Sequence, residues 1–143
     1  MTPADMAALH RLGFSVPRPW TEGEFAALLA QKGVFALTGD QCLALGRVVV
    51  DEAELLTITV APDLRRKGLA RLLLKRFLDH ASLAGARTCF LEVAEPNDAA
   101  VRLYIDSGFA TVGRRPGYFQ SNGAPAMDAL VMARKLPSIS QNA

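Results

Sequence analysis

The stretch Leu55-Leu56-Thr57-Ile58-Thr59-Val60-Ala61-Pro62-Asp63-Leu64-Arg65-Arg66-Lys67-Gly68-Leu69-Ala70-Arg71 joins a strand pattern to a helix pattern through a basic turn. Leu56, Ile58 and Val60 alternate with Thr57 and Thr59, the period of two expected of a strand. Pro62, which lacks a ladder donor, stops it. Beyond the turn, Leu69, Leu72, Leu73, Phe77, Ala81 and Ala84 recur at helical spacing, with Lys67, Arg71, Lys75, Asp79 and Ser82 as the opposing polar stripe. The turn therefore sits at a helix N-terminus, where backbone N–H groups lack intrahelical partners and the macrodipole adds roughly half a positive charge. Acidic side chains usually quiet such an end. Arg65, Arg66 and Lys67 do the reverse, an arrangement that costs stability unless an anion offsets it. Gly68 lets a ligand approach the backbone closely. The competing reading is a solvated basic turn that only starts a helix.

The whole chain sets the bounds. Its 143 residues suffice for one domain with a sizeable core, expected over residues 1–136 with a flexible tail at 137–143. Half of the residues are hydrophobic and 21% are charged, an ordinary globular composition. A net charge of +2 is too small to argue for nucleic acid. Cys42 and Cys89 lie in apolar runs without Cys-x-x-Cys spacing, which points to buried thiols in a reducing compartment. His10 and His80 have no companion at metal-ligand spacing and read as surface or partly packed helix residues, so no metal site is expected. No apolar run approaches the roughly 20 residues needed to span a bilayer, and no signal-peptide pattern opens the chain. The cytoplasm is the expected compartment.

Taken in order, Thr2, Pro3 and Asp5 start a helix that Gly13 ends. After the proline-rich Pro17-Arg18-Pro19-Trp20, Thr21 and Glu24 form a capping box for a second helix closing at Gly33. Strands follow at Val34 to Leu37, Cys42 to Val50 and Glu54 to Val60, an antiparallel meander with turns at Thr38 to Gln41 and Asp51 to Ala53. Gly85 caps the long helix, and Arg87 to Val93 reads as a buried strand parallel to the one before that helix. Asn97 caps a fourth helix running to about Ser107. A strand from Phe109 to Gly113, interrupted around Arg114-Arg115-Pro116-Gly117, and a last strand from Met127 to Ala133 complete the order. The expected class is mixed α/β: one central sheet with an antiparallel N-terminal meander, a parallel pair flanking the long helix, and a C-terminal hairpin.

Two side chains in the run from Leu91 to Phe109 could carry chemistry. Glu92 places a carboxylate in an otherwise apolar strand, and a buried unpaired charge is expensive. Either it ends the strand tied to a loop amide, or it faces a wet cleft as a general base. Tyr104 is either a core-lining ring with its hydroxyl tied off or a phenol able to protonate a thiolate.

The spacing of Arg65-x-x-Gly68-x-Ala70 between a strand and a helix resembles the pyrophosphate loop of the GNAT superfamily of acyl-CoA-dependent N-acetyltransferases. The element order resembles the GNAT fold over nearly the whole chain. The family normally has a strand before its first helix, and since the chain starts almost in that helix, either the strand is missing or the start is shortened. Leu91-Glu92-Val93, Asn97, Leu103-Tyr104 and Gly108-Phe109 resemble the ribosomal-protein-alanine acetyltransferases, the RimI family within GNAT. Pro19-Trp20-Thr21 with Phe25, and Arg114-Arg115 before Tyr118-Phe119, are similar to two further segments of that family. Pro116-Gly117 and Phe119 depart from its usual residues in the region near the acceptor.

The resemblance implies acetyl-CoA as co-substrate, Glu92 as base, Tyr104 as acid, and cofactor contacts from Ile58, Thr59, Val60, Arg66, Lys67, Gly68, Leu69, Ala70, Arg71 and Asn97. It implies acetylation of a protein N-terminal α-amine, with the N-terminal alanine of a small-subunit ribosomal protein as acceptor, and neither nucleic acid nor membrane as partner. The alternatives are another N-terminus, a lysine or a small amine as acceptor, a non-catalytic acyl-CoA-binding module, and a nucleic-acid binder using its basic residues.

Overall fold

The computed structural model describes residues 1–13, 18–121 and 124–138. Pro17 and the tail at 139–143 therefore lie outside the described residues. Thr2 and Asp5 cap the first helix, α1 (Pro3–Gly13), reciprocally, each backbone N–H donating to the other's side chain at 2.8 and 3.1 Å. The capping box of Thr21 and Glu24 does the same for α2 (Glu22–Leu29).

The six strands are β1 (Val34–Gly39), β2 (Cys42–Val49), β3 (Glu52–Val60), β4 (Thr88–Ala94), β5 (Ala110–Ser121) and β6 (Ala124–Lys135). They form one sheet in the order β1-β2-β3-β4-β6-β5. The expected meander, the parallel pair and the closing hairpin are all present, with β3 and β4 parallel on either side of α3 (Leu69–Leu83) and α4 (Asp98–Asp106) leading to β5. Among the described residues α1 is the first element, and β1 forms that edge of the sheet.

Helices pack on both faces of the sheet. Leu73, Leu74, Phe77 and Ala81 of α3 pack with Ala44, Leu55, Val60, Cys89, Leu91 and Met132 in one core. Met6, Leu9 and Phe25 of α1 and α2 pack with Leu43 and Leu45 in another. Cys42 and Cys89 are free and buried, as composition suggested.

Four local expectations need correction. On α3, Leu72 and Ala84 are exposed, whereas Leu74, Leu78 and Ser82 are buried. The consecutive leucines 72–74 fit two stripes equally well, and contact with the sheet selects the second. The turn before β3 is shorter than Asp51 to Ala53: Val49 already faces Glu52, and Val50 turns the chain at a φ of 56°. The last hairpin keeps strand conformation through Arg114 to Gly117, although its pairing skips residues 116–118. β5 is an edge strand, where the missing N–H of Pro116 leaves no ladder bond unmade. The excess residues bulge between Arg115, opposite Ala129, and Phe119, opposite Met127, with Gly117 at a φ of 61°.

The fourth correction positions the site. Thr57 and Thr59 are buried, while Leu56 and Ile58 are only partly so. Leu45 faces Thr57 and the next residue, Gly46, faces Leu55, so Leu56 has no opposite number and forms a β-bulge. A bulge bends its strand and re-aims the side chains beyond it. Leu55 and Ile58 therefore both join the core under α3, and Thr57 turns towards α1.

Candidate active site

Pairing between β3 and β4 stops at Leu55 opposite Leu91, although β3 continues to Val60 and β4 to Ala94. Bent at Leu56, the strands diverge and leave a wedge between their C-terminal halves. A cavity of about 620 Å³ occupies it, lined by residues 55–60 of β3 and 91–94 of β4. The edge of β3 that faces the wedge presents main-chain donors and acceptors without a neighbouring strand.

The wedge collects seven of the residues singled out in the sequence: Ile58, Thr59, Val60, Ala70, Glu92, Asn97 and Tyr104. Glu92 follows the last residue of β4 that pairs with β3, and its side chain is 21% exposed. Its Oε1 lies 3.4 Å from the Arg115 guanidinium, while its Oε2 is buried without a hydrogen-bond partner. A carboxylate oxygen so placed is ready to accept a proton or a donor. Tyr104, on α4, is 7% exposed and packs edge-on against Phe109 at 5.9 Å. Burial raises the pKa of its phenol, and the Cys89 thiol adds to the effect, so the hydroxyl stays protonated. Asn97 caps α4 by accepting the Ala100 N–H through Oδ1 at 3.2 Å, and its NH₂ takes no part in that cap.

Arg66, Lys67, Gly68 and Leu69 lie outside the cavity lining, at the adjoining N-terminus of α3. That helix has no side-chain cap and no acidic residue in its first turn. Gly68 sits at a φ of 78°, and a Cβ built there would meet nothing within 4 Å. Arg66 also has a positive φ, 65°, which strains a residue bearing a Cβ. Among the described residues neither Arg66 nor Lys67 forms an ion pair. Arg65 points elsewhere, donating to the carbonyls of Val60 and Gly13 at 3.1 and 3.4 Å and tying β3 to the end of α1. Arg71 pairs with Asp106 at 3.4 Å on the surface.

His10, Arg18, Trp20, Tyr118 and Phe119 also line the cavity and were not among the expected site residues. His10 overturns its sequence reading: it is 2% exposed. Its Nδ1 accepts the Trp20 backbone N–H at 2.8 Å, so the proton resides on Nε2, which donates to Thr57 Oγ1 at 3.0 Å. Burial lowers its pKa to about 4, with the charge of Glu24 opposing. Arg18 grips Glu24 with two bonds, at 2.7 and 2.9 Å, which together with the Thr21 N–H hold that carboxyl down at about 2. Burial raises the pKa of Tyr118, the neighbouring Glu92 carboxylate raises it further, and Arg115 pulls it back. The Trp20 and Tyr118-Phe119 segments were visible as motifs, but His10 had no local signal.

Among the described residues no three His, Cys, Asp or Glu side chains converge to hold a metal ion, and no helix is long and apolar enough to cross a membrane. The arrangement offers a buried carboxylate oxygen, a protonated phenol, an open strand edge and an uncapped cationic helix end around one cavity. These suit proton transfer beside a bound anion.

The family model described as Acetyltransferase (GNAT) family matches residues 5–109. The chain is 37% identical over 119 residues to the [ribosomal protein bS18]-alanine N-acetyltransferase of Escherichia coli (strain K12), a match covering 80% of each chain. It is 41% identical over 90 residues to the N-alpha-acetyltransferase RimI of Mycobacterium tuberculosis, covering 63% of this chain and 53% of that one. The crystal structure of the ribosomal-protein alanine N-acetyltransferase from Escherichia coli matches with a TM-score of 0.84 at 29% identity, over 99% of this chain and 92% of that one. Arabidopsis thaliana NAA60, crystallised with a bisubstrate analogue, shares the fold at a TM-score of 0.79 and 19% identity, over 97% of each chain.

Proposed function

The chain belongs to the GNAT acetyltransferase family, and from that premise we propose that it moves the acetyl group of acetyl-CoA to the N-terminal α-amine of a protein, the N-terminal alanine of a small-subunit ribosomal protein. Residues 1–136 act as one catalytic domain, working in the cytoplasm. The observation that carries the reading is the wedge itself, in which Glu92 and Tyr104 line the same cavity as the unpaired edge of β3.

In this reading, the edge from Ile58 to Val60 holds the pantetheine arm by main-chain hydrogen bonds, as an added strand would be held. The diphosphate sits over Gly68 at the N-terminus of α3, flanked by Arg66, Lys67 and Arg71, with Leu69 and Ala70 forming the first helical turn. Asn97 donates its free NH₂ to the cofactor. An α-amine has a pKa of roughly 8, so a modest base suffices to free its lone pair. Glu92, directly or through a water, takes the proton as the amine attacks the thioester carbonyl. A main-chain N–H of β3 stabilises the developing oxyanion. As the C–S bond breaks and the amide forms, Tyr104 gives its proton to the departing thiolate. Its raised pKa keeps that proton in place until the thiolate appears in the same low-dielectric pocket, where the thiolate too is a stronger base.

Peptides beginning with alanine, methionine or serine, and one with a blocked N-terminus and an internal lysine, are incubated with isotopically labelled acetyl-CoA. Mass spectrometry is expected to find label on the α-amine of the alanine peptide. Label confined to the lysine would replace this reading with lysine acetylation, and CoA uptake without release of product would replace it with a binding module.

A further inference from the structure

Glu92 belongs to two cavities. Besides the wedge, it lines a second one of about 470 Å³, formed with Arg47, Glu52, Glu54, Phe90 and Arg115 over the N-terminal halves of β3 and β4. If the reacting amine is held at Glu92, the thioester approaches it from the wedge and the rest of the acceptor must leave on another side. The second cavity begins at that carboxylate.

Its charges do not balance. Arg47 pairs with Glu54 at 3.0 Å and with the Gln31 side chain at 3.0 Å, and Arg115 pairs with Glu92 at 3.4 Å. Glu52 has no ion pair among the described residues, leaving one surplus negative charge at the end of the cavity away from Glu92. Glu54 lies opposite Phe90, two residues before Glu92, and Glu52 lies opposite Thr88, four residues before it. At strand rise these offsets are about 7 and 13 Å, the span from an N-terminal nitrogen to the charged end of a long side chain one or two residues on.

We propose that this cavity is the acceptor's specificity subsite and selects a lysine or arginine at the third residue through Glu52, Glu54 being already held by Arg47. The inference rests on the acetyl-transfer reading above. Entry of a cation neutralises the surplus charge, whereas an acidic side chain adds to it beside Glu52 and is disfavoured.

The test compares Ala-Ala-Lys-Ala, Ala-Ala-Ala-Ala and Ala-Ala-Glu-Ala peptides by kcat/KM with acetyl-CoA, and by fluorescence anisotropy of labelled peptides on the enzyme holding coenzyme A. The lysine peptide is expected to exceed the glutamate peptide by about tenfold, equivalent to about 1.4 kcal/mol. The gap should lie in KM and shrink with added salt. Glu52→Lys is expected to erase or invert the preference, and the milder Glu52→Gln to narrow it, which keeps the test intact should the reversal fail to fold. Acetylation of all three peptides at equal kcat/KM, or a preference that both variants leave untouched, overturns the subsite and spares the acetyl-transfer reading. Selective binding of the lysine peptide without acetylation of any peptide supports the subsite and overturns that reading.

Discussion

His10 Nε2 lies 3.0 Å from Thr57 Oγ1, joining α1 to the central strand immediately beyond the bulge, while Nδ1 of the same ring accepts the Trp20 N–H at 2.8 Å. One neutral imidazole thus fixes three segments around the cavity. A proton on Nδ1 would break the bond to Trp20. The pKa near 4 lies below the unfolded value of 6.5, so between these limits the unfolded chain binds the proton and the folded chain does not. Stability therefore falls as pH drops from about 6.5 to about 4, by on the order of 3 kcal/mol. Chemical denaturation at stepped pH should show that slope, and His10→Gln should flatten it in that window. The depression of Glu24 to about 2 acts at lower pH, with stability lost as pH falls from 4.5 towards 2.

Glu92→Gln keeps the shape of the base and removes its ability to take a proton, and Tyr104→Phe does the same for the acid. General acid–base groups typically contribute about 10²- to 10⁴-fold, so each variant should lose kcat on that scale. The acetyl-CoA Kd, read by calorimetry, should change little. Wild-type turnover in both variants would remove these residues from the chemistry.

The turn before α3 offers a test in which stability and binding move in opposite directions. Arg66 holds a positive φ that glycine adopts without strain. Arg66→Gly should therefore stabilise the fold by about 0.5 to 1 kcal/mol while weakening acetyl-CoA binding severalfold through the lost cation. Gly68→Ala should weaken both, because its φ of 78° strains a Cβ that would also project into the open space over the helix end. Thermal melts with and without coenzyme A separate the two effects. A loss of binding absent from both variants would move the diphosphate elsewhere.

Gly46 stands beside the bulge, where a Cβ would run into the Phe77 ring. Gly46→Ala should cost about 1 to 3 kcal/mol, the usual penalty for overpacking a filled core. Trimming the ring should relieve it, so the double variant Gly46→Ala with Phe77→Leu should be more stable than the sum of the single changes. Additive losses in urea denaturation would show that the crowding lies elsewhere.

Elements with strong local codes were legible in the sequence. Thr21 with Glu24, Asn97 at the start of α4, and the strand-turn-helix around Gly68 each announce themselves within a few residues, and the meander, the parallel pair and the closing hairpin followed from them. The placing of β6 beside β4 did not. Facing was harder. Consecutive leucines at 72–74 leave the rotation of α3 open until the sheet is present, and the bulge at Leu56 comes from a count of residues on two strands, which no single-strand pattern contains. His10 illustrates the remaining gap. Its role depends on Trp20 and Thr57, brought to it by the fold across 10 and 47 positions of chain. Glu92 and Tyr104 stood out because a carboxylate in an apolar strand and a phenol on the next helix are conspicuous by type.

The unmatched Leu56 gives this molecule an arithmetic sensitivity that its helices do not share. Removing one residue from β3 would let β2 and β3 run in step past Gly46, straighten the strand, and invite β4 to zip up beside it. The result would be a tidier sheet with no gap left for a guest.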